Sequence, residues 1–110
     1  MSGYVPSAGD IISLDFDPQS GHEQKGRRPA VVLSNATFNR GTRLAIVCPI
    51  TSRDRGFPFH LPLPEGGEIT RFAMMEQVKS IDYRTRRAKC IEKAPDDFME
   101  EAHALLAACF

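Results

Sequence analysis

The 110 residues, 42% hydrophobic and 25% charged with a formal net charge of +0, suffice for one globular domain and leave no room for a second core. The longest apolar run, residues 44–50, is too short to span a bilayer, and residues 1–10 lack the basic start and apolar stretch of a secretory leader, so a cytoplasmic protein is expected. Cys48, Cys90 and Cys109 are widely spaced and odd in number, which argues against a cysteine metal site and for reduced thiols, with Cys48 and Cys109 as small core residues.

The first element is a strand over residues 10–16, where Ile12, Leu14 and Phe16 alternate with Ile11, Ser13 and Asp15. Residues 17–28 contain Pro18, Gly21 and Gly26 and no aliphatic side chain. They form a loop, long for so small a domain and therefore a candidate carrier of function. Apolar, β-branched runs at 29–34 and 43–50 have the length and flanks of strands buried on both faces, hence central ones. The stretch 18–55 also gathers Lys25, Arg27, Arg28, Arg40, Arg43, Arg53 and Arg55 against only Glu23 and Asp54. Phosphate is the natural counter-charge for such a patch, and a solvated basic face is the plain alternative.

Residues 57–63 alternate again, but Pro58 and Pro62 confine them to an edge or a bulge because proline cannot donate to a ladder. A turn at 64–67 leads into residues 69–81, long enough for one bent strand or two short ones, and 86–92 supplies the last strand. Several short strands with frequent turns point to a small barrel. Pro95 then opens a helix whose early turns carry Asp96, Asp97, Glu100 and Glu101, as a helix N-terminus favours. Phe98, Ala102, Leu105, Leu106 and Cys109 recur at three- and four-residue steps, a stripe that closes the core, with His103 off it and exposed. Residues 95–110 thus carry −4, so residues 1–94 carry +4, an asymmetry that suits an anionic partner.

A phosphate-cradling glycine loop, a nucleophile elbow, a zinc pattern and a magnesium carboxylate set are all missing from the sequence, so no metal or cofactor is expected. Polar residues instead collect at strand ends: His22, Glu23, Gln24, Lys25, Arg27 and Arg28 before one central strand, Thr51, Ser52 and Arg53 after the next. If those strands are antiparallel neighbours, Arg28 and Thr51 meet. Such a pair suits RNA cleavage by the ribose 2′-hydroxyl, because the substrate brings its own nucleophile. A forked, permanently charged arginine stabilises the phosphorane, a threonine hydroxyl adds a hydrogen bond, and Glu23 or His22 accepts the proton. Taken singly, Arg28 is more often a surface ion-pair residue, Thr51 a strand-end cap and His22 a solvated loop histidine.

The runs Gly9-Asp10-Ile11-Ile12-Ser13-Leu14-Asp15-Phe16-Asp17-Pro18 and Gly21-His22-Glu23-Gln24-Lys25-Gly26-Arg27-Arg28-Pro29-Ala30-Val31-Val32-Leu33-Ser34 resemble the N-terminal signature of the MazF/PemK toxin family. The likeness continues through Cys48-Pro49-Ile50-Thr51-Ser52, Gly56-Phe57-Pro58-Phe59 and Glu76-Gln77-Val78-Lys79-Ser80-Ile81. The resemblance implies a mainly β, SH3-like β-barrel with a C-terminal α-helix, a homodimer, a MazE-like antitoxin with an acidic flexible segment, and sequence-specific, metal-independent cleavage of single-stranded RNA. It places Arg28, Thr51 and Glu23 in the catalytic set. His22, Gln24, Lys25, Arg27, Ser52, Arg53, Phe57, Glu76, Gln77 and Lys79 would line the RNA path, with Asn35, Phe38 and Asn39 as further candidates for base recognition. Phe57 and Phe38 serve equally well as barrel-end packing. Some relatives have aspartate where this chain has Glu76 and arginine where it has Met74. The alternatives are a related barrel toxin that binds DNA gyrase, and an inactive RNA-binding barrel.

Overall fold

The computed structural model describes residues 3–15, 27–53, 56, 58–65 and 68–110. Seven strands form one antiparallel sheet: β1 (Asp10–Leu14), β2 (Arg28–Val32), β3 (Ala45–Thr51), β4 (His60–Glu65), β5 (Glu68–Met74), β6 (Lys79–Ile81) and β7 (Lys89–Lys93). A short helix α1 (Ala36–Thr42) joins β2 to β3, and α2 (Asp96–Ala108) ends the chain. The strand order is β4-β5-β3-β2-β1-β7, with β6 paired to β3. The expected span 69–81 resolves as two strands, because a 3₁₀ turn at Met75–Gln77 lifts the chain off β3. β3 therefore pairs with β5 at Ile50 and Thr51 and with β6 at Ala45, Ile46 and Val47.

Alternation along the strands sorts side chains onto two faces, and both are covered. Ile12, Leu14, Ala30, Val32, Ala45, Val47, Ile81 and Tyr83 fill one core cluster. Ile11, Val31, Leu33, Cys48, Ile50, Leu61, Leu63 and Ala73 fill the other, beneath Phe98, Met99 and Ala102 of α2. Burial on both faces is why β2 and β3 read as unbroken apolar runs. Each fully buried Leu, Ile or Val among them contributes about 1.5–3 kcal/mol. Ile11 and Ile12 serve opposite clusters by simple alternation, and the β1–β7 register shifts between them.

The sheet curls strongly. Arg71 of β5 and Glu92 of β7 are separated in the strand order by β3, β2 and β1, yet Arg71 Nη1 lies 2.9 Å from a Glu92 carboxylate oxygen. Among the described residues β4 and β7 do not pair with each other, so the barrel is bridged by side chains and its strand path stays open. Pro62 and Pro64 lie in the edge strand β4, where a missing donor is harmless.

Three sequence expectations differ from the structure. Residues 36–42, not expected to be helical, form α1, capped by Asn35, whose side chain accepts the Phe38 N–H at 2.8 Å. Asn39, a candidate for base recognition, is fully buried: its Nδ2 donates to Pro6 O at 2.8 Å and to Ser34 O at 3.1 Å, and its own carbonyl accepts the Tyr83 hydroxyl at 3.0 Å. It holds α1 to the sheet, while Asn35 is committed to the cap and Phe38 is 41% exposed. Cys48 is buried as expected, but Cys109 is exposed because α2 outlasts the core it covers. His103, off the stripe, has its Nε2 2.8 Å from Leu33 O.

Candidate functional site

β2 begins at Arg28 and β3 ends at Thr51, so both lie where the sheet gives way to loops. Arg28 pairs with Leu14 on β1, and Ala30, Val31 and Val32 pair with Pro49, Cys48 and Val47 on β3. The same register carried two residues further sets Arg28 opposite Thr51. Thr51 pairs with Phe72 on β5, and Phe72 with Pro62 on β4. Leu14–Arg28 and Thr51–Phe72–Pro62 are the paired parts of this row, and its Arg28–Thr51 step extends the β2–β3 ladder two residues past its last pair, Ala30–Pro49. Directly opposed residues project to the same face, with Cα atoms about 4.5–5.5 Å apart. Leu14 is fully buried, Thr51 and Phe72 half-buried, Arg28 exposed. The row is the polar rim of the Leu14 core cluster, where a guanidinium and a hydroxyl reach solvent from a rigid base.

Beyond Thr51 the chain turns. Thr51 Oγ1 accepts the Arg53 N–H at 3.1 Å, which closes the strand and brings exposed Ser52 and Arg53 beside the row. Arg27 faces elsewhere: its Nε donates to Ser13 Oγ at 2.9 Å, its Nη2 to Ser13 O at 2.6 Å and to Arg87 O, and its Nη1 lies 3.4 Å from Asp15. That guanidinium ties β1 to the turn before β7. Glu76 lies 3.0 Å from His60 Nε2, and Gln77 is exposed on the same 3₁₀ turn. Lys79 is opposite Val47, about 13 Å along β3 from Thr51. Glu23, His22, Gln24, Lys25 and Phe57 lie outside the described residues. Among the described residues no group of three His, Cys, Asp or Glu side chains could hold a metal ion. Burial pushes the Cys48 thiol up to about 12, so it remains protonated and offers no nucleophile.

A family model described as "PemK-like, MazF-like toxin of type II toxin-antitoxin system" matches residues 7–110. The chain belongs to the PemK/MazF toxin family. It is 47% identical over 88 residues to the endoribonuclease toxin MazF of Escherichia coli K12, a match spanning 80% of this chain and 78% of that protein. The crystal structure of MazF (Form-I) from Deinococcus radiodurans superposes with a TM-score of 0.82 at 43% identity, covering 97% of each chain. MazF in a MazE-MazF crystal structure (Form-II) from the same organism is 37% identical with a TM-score of 0.82, covering 97% of this chain and 96% of that one. The MazF-like fold agrees with the expected barrel and C-terminal helix.

In this PemK/MazF chain two residues near the row escaped sequence reasoning. Phe72 stands next to Thr51 because of the β3–β5 register, and His60 is buried opposite Met74 because of the β4–β5 hairpin register. The alternation of residues 57–63 fixes a face for His60 but not the carboxylate that meets it. Among the described residues no helix is long and apolar enough to cross a membrane.

Proposed function

We propose that this PemK/MazF chain cuts single-stranded RNA without a metal, by attack of a ribose 2′-hydroxyl on the adjacent phosphate. The observation that carries the proposal is the antiparallel β2–β3 ladder, whose register, continued two residues past its last pair, Ala30–Pro49, points the start of β2 at Arg28 towards the end of β3 at Thr51. The guanidinium binds the equatorial oxygens of the phosphorane as negative charge accumulates, and the Thr51 hydroxyl donates a further hydrogen bond to it. Arg28 acts in charge stabilisation, since a guanidinium is permanently charged at neutral pH and gives up a proton only at high cost. Glu23 accepts the 2′-hydroxyl proton, and a second proton reaches the departing 5′-oxygen. The products are a 2′,3′-cyclic phosphate, or the 3′-phosphate formed by its hydrolysis, and a 5′-hydroxyl. Ser52, Arg53, Gln77 and Lys79 contact flanking nucleotides.

Relatives of this chain named as endoribonucleases favour this reading over a gyrase-binding toxin. The MazE-MazF complexes of Deinococcus radiodurans support an antitoxin partner here, with an acidic, flexible segment that covers the basic groove of a homodimer. The test is cleavage of single-stranded RNA in EDTA, with end mapping. Cutting that persists in chelator and disappears when the 2′-hydroxyl at the cut is removed is the expected result. A requirement for magnesium, or equal cutting of DNA, would refute the mechanism.

A further inference from the structure

A second concentration of positive charge lies at the other end of β3. Arg40 and Arg43 at the end of α1 and Arg84 in the turn between β6 and β7 line a pocket of about 190 Å³ with Gly3, Tyr4, Val5 and Tyr83. Among the described residues none of these three guanidinium groups has an ion pair or a side-chain hydrogen bond. The acid in the same turn, Asp82, is already engaged: its Oδ1 accepts the N–H groups of Arg84 and Thr85, each at 3.1 Å. The floor is fixed, with Tyr83 only 4% exposed and its hydroxyl bonded to Asn39 O, while the Tyr4 hydroxyl donates to Asp10.

The negative end of a helix attracts cations, which accounts for basic residues at the end of α1. It does not account for Arg84, which comes from another element; Arg43 at φ 65 is the left-handed cap of α1, its N–H bonded to Asn39 O. The three cations lining the pocket outnumber the one nearby carboxylate, Asp82, which interacts electrostatically with Arg84, and leave net positive charge there. Forked guanidinium donors pair bidentately with the two non-bridging oxygens of a phosphodiester.

We propose that the Arg40–Arg43–Arg84 pocket binds a backbone phosphate of single-stranded RNA remote from the scissile linkage. The proposal rests on the nuclease reading for its ligand. β3 runs six residues from Ala45, next to the pocket, to Thr51, or about 20 Å along the strand. The pocket therefore grips RNA some nucleotides away from the cut. Long transcripts gain affinity from it, and a trinucleotide held at the Arg28–Thr51 row gains nothing.

The experiment compares the parent protein with the Arg40→Ala/Arg43→Ala/Arg84→Ala variant, both also carrying Thr51→Ala for binding measurements. A single-stranded transcript should bind the triple variant about tenfold more weakly, and the slope of log affinity against log salt should flatten by about 0.7 for each phosphate that the variant no longer neutralises. Trinucleotide cleavage, measured with Thr51 intact, should be unchanged, and the triple Arg→Lys variant should recover part of the affinity. Unchanged transcript affinity and salt slope would overturn the proposal. So would calorimetry in which inorganic phosphate alone, or poly-glutamate, loses binding in the triple variant while the transcript does not. If the nuclease reading itself fails, the parent cleaves no RNA at all, a result separate from the transcript-binding comparison.

Discussion

His60 Nε2 lies 3.0 Å from a Glu76 carboxylate oxygen, joining the first residue of β4 to the 3₁₀ turn that separates β5 from β6. The histidine side chain is 3% exposed and the glutamate 31%. Removing the carboxylate strips a buried ring nitrogen of that partner, which costs about 1–2 kcal/mol. Glu76→Ala should lower the thermal midpoint by roughly 4–8 °C. Glu76→Gln keeps an acceptor and should lose about half as much. Calorimetric melts of the three proteins decide it, and coincident midpoints would show that the pair adds no stability.

Arg28→Ala and Thr51→Ala should each reduce RNA turnover by at least about a hundredfold with the fold intact by circular dichroism, since neither side chain belongs to the core. Arg28→Lys keeps the charge but loses the fork, so it should recover only a small part of the activity. Near-normal turnover in either alanine variant would remove that residue from the chemistry.

The central strands were legible because burial on both faces writes itself as an apolar run, and β2 and β3 are antiparallel neighbours, the arrangement on which the Arg28–Thr51 reading depended. α1 was not legible. Thr37, Asn39 and Gly41 are weak helix formers, and the helix persists because Asn35 caps it and buried Asn39 anchors it to Pro6 and Ser34. The apolar stripe of α2 was placed correctly at Phe98 and Ala102 and carried too far at Cys109, since periodicity does not reveal where the opposing surface ends. The His60–Glu76 pair and the Arg84 pocket join residues far apart in sequence, and only the folded register brings them together.

Asp10 ties the chain start to β7. Burial pushes its carboxyl up, but hydrogen bonds from Lys93, Tyr4 and the Ser7 N–H outweigh burial and hold it below the ordinary value of 3.8. A depressed carboxylate stabilises the fold fully above that ordinary value and loses its contribution as pH falls through the lower native one. Asp10→Asn should therefore cost about 2 kcal/mol at neutral pH, with the difference from the parent shrinking below pH 3.8. Denaturant titrations across acid pH measure this, and a difference that grows with acid would contradict the assignment.

Cysteine accessibility gives a simple check on the core. Cys90 and Cys109 are exposed, while Cys48 is buried with its thiol pushed up to about 12. A thiol reagent should modify Cys90 and Cys109 in the native protein and all three cysteines in denaturant. Native labelling of Cys48 would mean that β3 opens.

The ladders joining β1 to β2, β2 to β3 and β3 to β5 hold the start of β2 and the end of β3, where Arg28 and Thr51 lie, on one backbone frame. On the proposed reading, changes in the segment after Thr51 alter which RNA is chosen, while the segment that carries Glu23 is bound to its chemistry.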